Sequence, residues 1–134
     1  MEINNIILAL SNVYAILPII KSYNLGHYLM TFTFIFAGLG SFLYHLSEQK
    51  HGLPGIYPFN LVTWKLLWID RIGAISAIIS VFIYGNNYIE IIKYGSLALL
   101  ILFISEKLCP NPWPFVPIHV IWHMMAFHIG YIMI

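Results

Sequence analysis

Five apolar stretches, 3–20, 28–46, 66–84, 89–105 and 114–134, make up most of this sequence. At about 1.5 Å rise per residue, each is long enough as a helix to cross a hydrocarbon layer of roughly 30 Å. The charged residues fall almost wholly at the ends of these stretches or between them: Lys21, Glu48 and Lys50, Lys65, Glu90 and Lys93, Glu106 and Lys107. Composition points the same way, since 60% of the residues are apolar and 8% are charged. The mean hydropathy of +0.84 exceeds that of a soluble domain of this size. In lipid, helices are the open-ended structures that satisfy their own backbone. The expected fold is therefore all-α: a polytopic transmembrane helical bundle of about five spans, forming a single domain over residues 1–134.

Several other classes drop out. The first apolar stretch begins at Ile3 with no basic region and no small-residue cleavage site, so it reads as a retained span and not as a signal peptide. A net charge of +1 provides no basic stripe for nucleic acid. The lone cysteine, Cys109, excludes an internal disulfide. The expected surroundings are a lipid bilayer, and any substrate is expected to be a lipid. Loop lysines divide as Lys50, Lys65 and Lys107 on one side against Lys21 and Lys93 on the other, too even a split to fix orientation.

The order of the spans decides where the polar residues fall. Taking the N-terminus as side A, the second span returns to side A with His45 at its end. The third leaves side A with Asp70 a turn or two inside, and the fifth leaves side A with His119 and His123 in its first two turns. Ser41, His45, Asp70, His119 and His123 thus converge at one depth, near one face of the membrane. His119 and His123 are four residues apart and share a helix face, as do Ser41 and His45. With a third imidazole from the second span they make a three-ligand set with an open position, the layout of a catalytic Zn2+. In that layout Asp70 suits a proton acceptor and Ser41 a donor to a developing oxyanion.

Each of these residues also has a plainer reading. Interfacial histidines often bond a backbone carbonyl, and a helical serine often bonds the carbonyl four residues back. Asp70 resists such a reading, because an aspartate inside an apolar span costs about 2.5 to 3.5 kcal/mol and faces a partner or a cavity. Arg71 points elsewhere on the helix and is expected to snorkel. His128 lies about 180° round the helix from His119, His27 is at the opposite membrane side, His51 is in a loop, and Glu106 with Lys107 reads as a solvated helix end.

The motifs S-x3-H in SFLYH, an aspartate opening the next span in WIDRIGAIS, and H-x3-H in HVIWHMM resemble the CREST superfamily of membrane hydrolases and receptors. The closing segment, SEKLC and then IHVIWHMMAFHIGYI, is similar to the alkaline ceramidases. The first half, from SNVYAILPII through SFLYHLSEQKHGLPG, is similar to the transmembrane-protein-8 and myomaker group. The resemblance implies a zinc ion held by His45, His119 and His123, with Asp70 and Ser41 beside it. It also implies hydrolysis of a ceramide-like or other acyl lipid. The superfamily has seven spans where five are read here, and losing one hairpin keeps the ligands on one side. A thinner bundle leaves the pocket open to lipid or closed by a second copy in a homo-oligomer. The acidic calcium-binding cluster of the ceramidases is absent, which leaves the lipid unspecified. Two functions follow: a zinc-dependent intramembrane hydrolase of lipid amide or ester bonds, or a non-catalytic, zinc-stabilised scaffold, receptor or fusion factor. An ion pathway fits less well, because the polar groups sit at one depth.

Overall fold

The computed structural model describes residues 1–134, and helices account for nearly all of the chain outside the loop after residue 47. Helices α1 (Glu2–Ser11) and α2 (Ile16–Asn24), joined by a 3₁₀ turn at Asn12–Ala15, make the first span. The others are α3 (Tyr28–Ser47), α4 (Thr63–Tyr84), α5 (Tyr88–Leu108) and α6 (Pro112–Ile132). All five spans are long and apolar enough to cross a membrane, and their bounds agree with the sequence-derived ones to within about a turn.

The irregularities have local causes. Pro18 lacks an N–H and its ring crowds the Tyr14 carbonyl, so the first span tightens into 3₁₀ geometry just before it. Asn12 donates there to the Leu8 and Ala9 carbonyls, each at 3.3 Å. In α6 the expected proline start is more complex: the helix begins at Pro112, breaks at Trp113 (φ −107°, ψ 116°) and runs regularly from Pro114. Pro117 falls in the turn after that break, where few backbone N–H groups would find a partner.

The up-and-down order inferred from the charge pattern holds. At one end Asn5 donates to the carbonyls of His45 (2.8 Å) and Glu48 (2.9 Å), tying the start of α1 to the end of α3. At the other, Lys21 Nζ donates to the Tyr131 carbonyl at 2.7 Å and the His27 ring stacks on Tyr84. Around the bundle the neighbours run α4, α3, α1 with α2, α6, α5. Although consecutive in sequence, α4 and α5 touch only slightly, so the ring stays open between them.

The closest approach is between α3 and α4. A Cβ at Gly73 would lie 2.9 Å from the Ala37 Cα, so only glycine lets the two backbones meet there. Gly73→Ala is expected to cost about 1–3 kcal/mol, the scale of overpacking. A lower thermal midpoint of the detergent-solubilised protein, with unchanged helix content, is the check; an unchanged midpoint would show that α4 shifts freely. Large apolar side chains such as Ile75, Ile79 and Phe103 stay exposed on the outside, as expected of a lipid-facing surface.

Candidate metal centre

The histidines His45 on α3 and His119 and His123 on α6 meet in the interior, each at most 4% exposed. Their rings lie edge to face in all three pairs, with centroids 4.8 to 4.9 Å apart. One nitrogen from each lies within 4.8 Å of the others, so the three could hold a metal ion. The Nε2 atoms of His45 and His123 are 3.2 Å apart. Two nitrogens bound to one tetrahedral zinc at about 2.0–2.1 Å would be roughly 3.3–3.4 Å apart, so the spacing fits a shared ion.

The groups behind the rings decide which nitrogens carry protons. His45 Nδ1 is 2.7 Å from Glu48 Oε2, and a carboxylate only accepts, so Nδ1 donates. His123 Nδ1 is 2.6 Å from Ser11 Oγ, whose one hydrogen already goes to the Leu8 carbonyl at 2.6 Å. His119 Nδ1 is 3.0 Å from Ser105 Oγ, whose hydrogen goes to the Leu102 carbonyl at 2.8 Å. Both serines therefore accept, and all three Nδ1 atoms donate. The proton positions are inferred from this network. The Nε2 atoms are thus the nitrogens left facing the centre, and the two that meet at 3.2 Å can share either a proton or a cation. Three buried imidazoles turned toward one point are a ligand set that could take a divalent cation. Imidazoles backed through Nδ1 are also the usual form of metal-bound histidine.

Ser41 and Asp70 stand beside this centre. Ser41 Oγ is 3.3 Å from His123 Nε2. The Asp70 carboxylate lies beside the Ser41 hydroxyl, half-buried, and both line a cavity of about 520 Å³ together with His119 and His123. The cavity continues along α4 past Ala77 and Val81 to Phe82, about 18 Å from Asp70 at 1.5 Å per residue. Its far wall is α5, where Gly95, Ser96 and Ala98 leave space. Ile78 and Leu99 line it and are 44% and 52% exposed, so it opens to the outside of the bundle between α4 and α5.

The remaining sequence expectations sort as follows. His128 is exposed and His27 lies at the opposite end, both away from the centre. Arg71 is exposed, with its guanidinium 5.7 Å from the Trp68 ring. His51 is in the loop after α3, as expected, whereas the reading of Glu106 as a solvated helix end needs correction. His51 folds back over the end of the bundle, and Glu106 is only 30% exposed and reaches both His51 and His119 at 3.5 Å. Sequence reasoning also missed Glu48, which is fully buried. Its signal was the three-residue spacing from His45, which places it on the same helix face. Ser11 and Ser105 had no local signal, since each meets its histidine from a neighbouring helix.

Ser11→Ala is expected to weaken metal binding by about 10–100-fold, because the buried His123 Nδ1–H loses its acceptor and the ring its fixed orientation. Zinc titration of the purified protein measures this, and unchanged affinity would remove Ser11 from the site.

Fold and site together define a bundle of five helices long and apolar enough to span a membrane, with three buried histidines that could hold a metal ion beside a cavity open between α4 and α5. The chain belongs to the family described as Protein of unknown function (DUF3522), whose model matches residues 1–133. It is similar to Uncharacterized protein L282 of Acanthamoeba polyphaga mimivirus, with 31% identity over 145 residues, covering 95% of this chain and 93% of the relative. No solved structure matches the chain.

Proposed function

We propose that the chain is a zinc-dependent intramembrane hydrolase of lipid amide or ester bonds, with a ceramide-like or other acyl lipid as substrate, and that it belongs with the CREST hydrolases it resembles. The observation that carries this reading is the continuity of the cavity: its polar end holds Ser41, Asp70, His119 and His123, and its long apolar arm runs between α4 and α5. An acyl chain in the arm would bring its carbonyl to the polar end. A purely structural zinc site has four protein ligands and needs neither an open position nor a neighbouring cavity.

His45, His119 and His123 would hold the zinc, which supplies Lewis acidity and lowers the pKa of a water from about 15.7 to about 7. Asp70 would take the proton of the attacking water and pass it to the leaving amine or alcohol. The Ser41 hydroxyl would donate to the oxyanion that forms at the carbonyl carbon. The products are a fatty acid and the amine or alcohol that had carried it.

One observation favours the non-catalytic reading. The three histidines come from α3 and α6, which make little direct backbone contact of their own, so an ion would clamp the two together. The experiment that separates the readings is fatty-acid release from a panel of lipid amides and esters by the purified, zinc-loaded protein. Release that stops with a chelator and returns with zinc is expected. No release from any lipid while zinc stays bound would support the scaffold.

A further inference from the structure

The loop after α3 and the end of α5 hold a second group of ligand atoms that the three-histidine centre does not use. Glu48, His51 and Glu106 each bring one such atom within 4.8 Å of the others. His51 is the least explicable of them without a ligand. Its φ of 56° is in the left-handed region, uncommon outside glycine. Gly52 follows at φ 74°, and a Cβ there would lie 2.9 Å from Pro112 Cδ, so the turn is pressed against the start of α6. The imidazole stacks flat on Phe115, with centroids 3.8 Å apart and planes 9° from parallel, and its side chain is 9% exposed.

The orientation of that ring fixes its protons. His51 Nδ1 is 2.7 Å from the Cys109 carbonyl, which only accepts, so Nδ1 donates and Nε2 is the nitrogen left to meet a further partner. Nε2 is buried and has no hydrogen-bond partner. What it faces is Glu106 Oε2, at 3.5 Å. A buried imidazole nitrogen set this close to a carboxylate calls for positive charge, either a proton on Nε2 or a cation held between the two. Lysine and arginine do not supply it, because every close ion-pair contact in the structure is between a histidine and a glutamate. Glu48 is fully buried, and beyond His45 its carboxylate receives only the Tyr44 hydroxyl, at 3.3 Å, so it keeps acceptor capacity to spare.

We propose that Glu48, His51 and Glu106 hold a second divalent cation beside the three-histidine centre. The two sites share their carboxylates: Glu48 backs His45, and Glu106 lies 3.5 Å from His119 Nδ1 while its other oxygen faces His51. One imidazole with two carboxylates is a harder ligand set than three imidazoles, so manganese suits the second site as zinc suits the first. The proposal does not depend on the hydrolase reading, and a scaffold would carry the same two ions.

Equilibrium dialysis of the full chain in detergent, against zinc alone and against manganese alone, tests it. The parent should take up about two zinc ions and about one manganese per chain. His51→Ala should bind about one zinc and lose the manganese, while His123→Ala should keep the manganese. Glu106→Gln, nearly the same shape at a half-exposed position, should weaken the second zinc step by about 10-fold or more with helix content unchanged by circular dichroism. It decides the matter if His51→Ala fails to fold. A parent that binds one zinc at most and no manganese overturns the second site, as do His51→Ala and Glu106→Gln proteins that bind both metals like the parent. Failure of the first centre would look different: zinc uptake would then be unchanged in His123→Ala and lowered only in the other two variants.

Discussion

His123→Ala protein is expected to lose zinc from the three-histidine centre, with affinity there falling by a factor of more than about 100. The reasoning follows from the ligand count. Structural zinc sites bind with about 10–16 kcal/mol, and removing one of three protein ligands forfeits roughly a third of that, less what a water recovers in its place. His123 is a severe site for truncation because it meets four partners at once: Ser11 through Nδ1, Ser41 and His45 through Nε2, and the edge of the His119 ring. Removing it opens a void at the crossing of α1, α3 and α6. His119→Ala should behave alike, although Ser105 and Glu106 would be the groups left unpaired. His128→Ala is the control, since that residue is exposed on the same helix and points elsewhere. Zinc content of the purified variants measures the effect, with circular dichroism confirming that they remain folded. Equal zinc affinity in the parent, His119→Ala and His123→Ala would dispose of the centre.

Asp70→Asn protein is expected to keep its zinc and its place in the membrane while losing about 100-fold or more in lipid turnover, the scale of removing a positioned proton acceptor. The amide has nearly the same shape as the carboxylate, and Asp70 is not among the residues whose nitrogen or oxygen atoms cluster with the three histidines. Metal content should thus be indifferent to the change. Turnover should not be, because the Asp70 carboxylate lines the cavity beside Ser41, where a scissile carbonyl would sit. Ser41→Ala should lose less, on the order of 3 kcal/mol at most, if it gives one bond to the oxyanion. An Asp70→Asn protein that releases fatty acid as fast as the parent would end the catalytic assignment of that residue.

Legibility followed the range over which each feature is determined. The three histidines were readable because two of them share a helix face through their four-residue spacing, and because the parity of the spans fixed which ends meet. Asp70 was readable because an ionisable group within an apolar span is costly enough to demand a partner or a cavity. Glu106 was misjudged for the converse reason, and the loop position of His51, rightly read, gave no hint that its ring is buried. A charged residue at a helix end is ordinarily solvated, and only the folding of the loop over that end, with His51 stacked on Phe115, takes both out of bulk water. The break in the first span was open to the same kind of reading, since Pro18 removes one donor and crowds one carbonyl, yet its consequence was not local. It begins directly after Ser11, the residue that meets His123.

The sequence by itself determined that the helices are long and apolar enough to span a membrane, their number and bounds, and the end of the bundle at which each polar residue lies. These follow from apolar length, backbone satisfaction in lipid and the alternation of spans, all properties of the chain read in order. Only the tertiary structure decided that the Nδ1 atoms of the three histidines donate, because Glu48, Ser11 and Ser105 act on them at hydrogen-bond range, the two serines from neighbouring helices. It alone decided that α4 and α5 stand apart and leave a cavity, since which neighbours pack closely depends on side-chain volumes meeting face to face, and hydropathy carries no record of that.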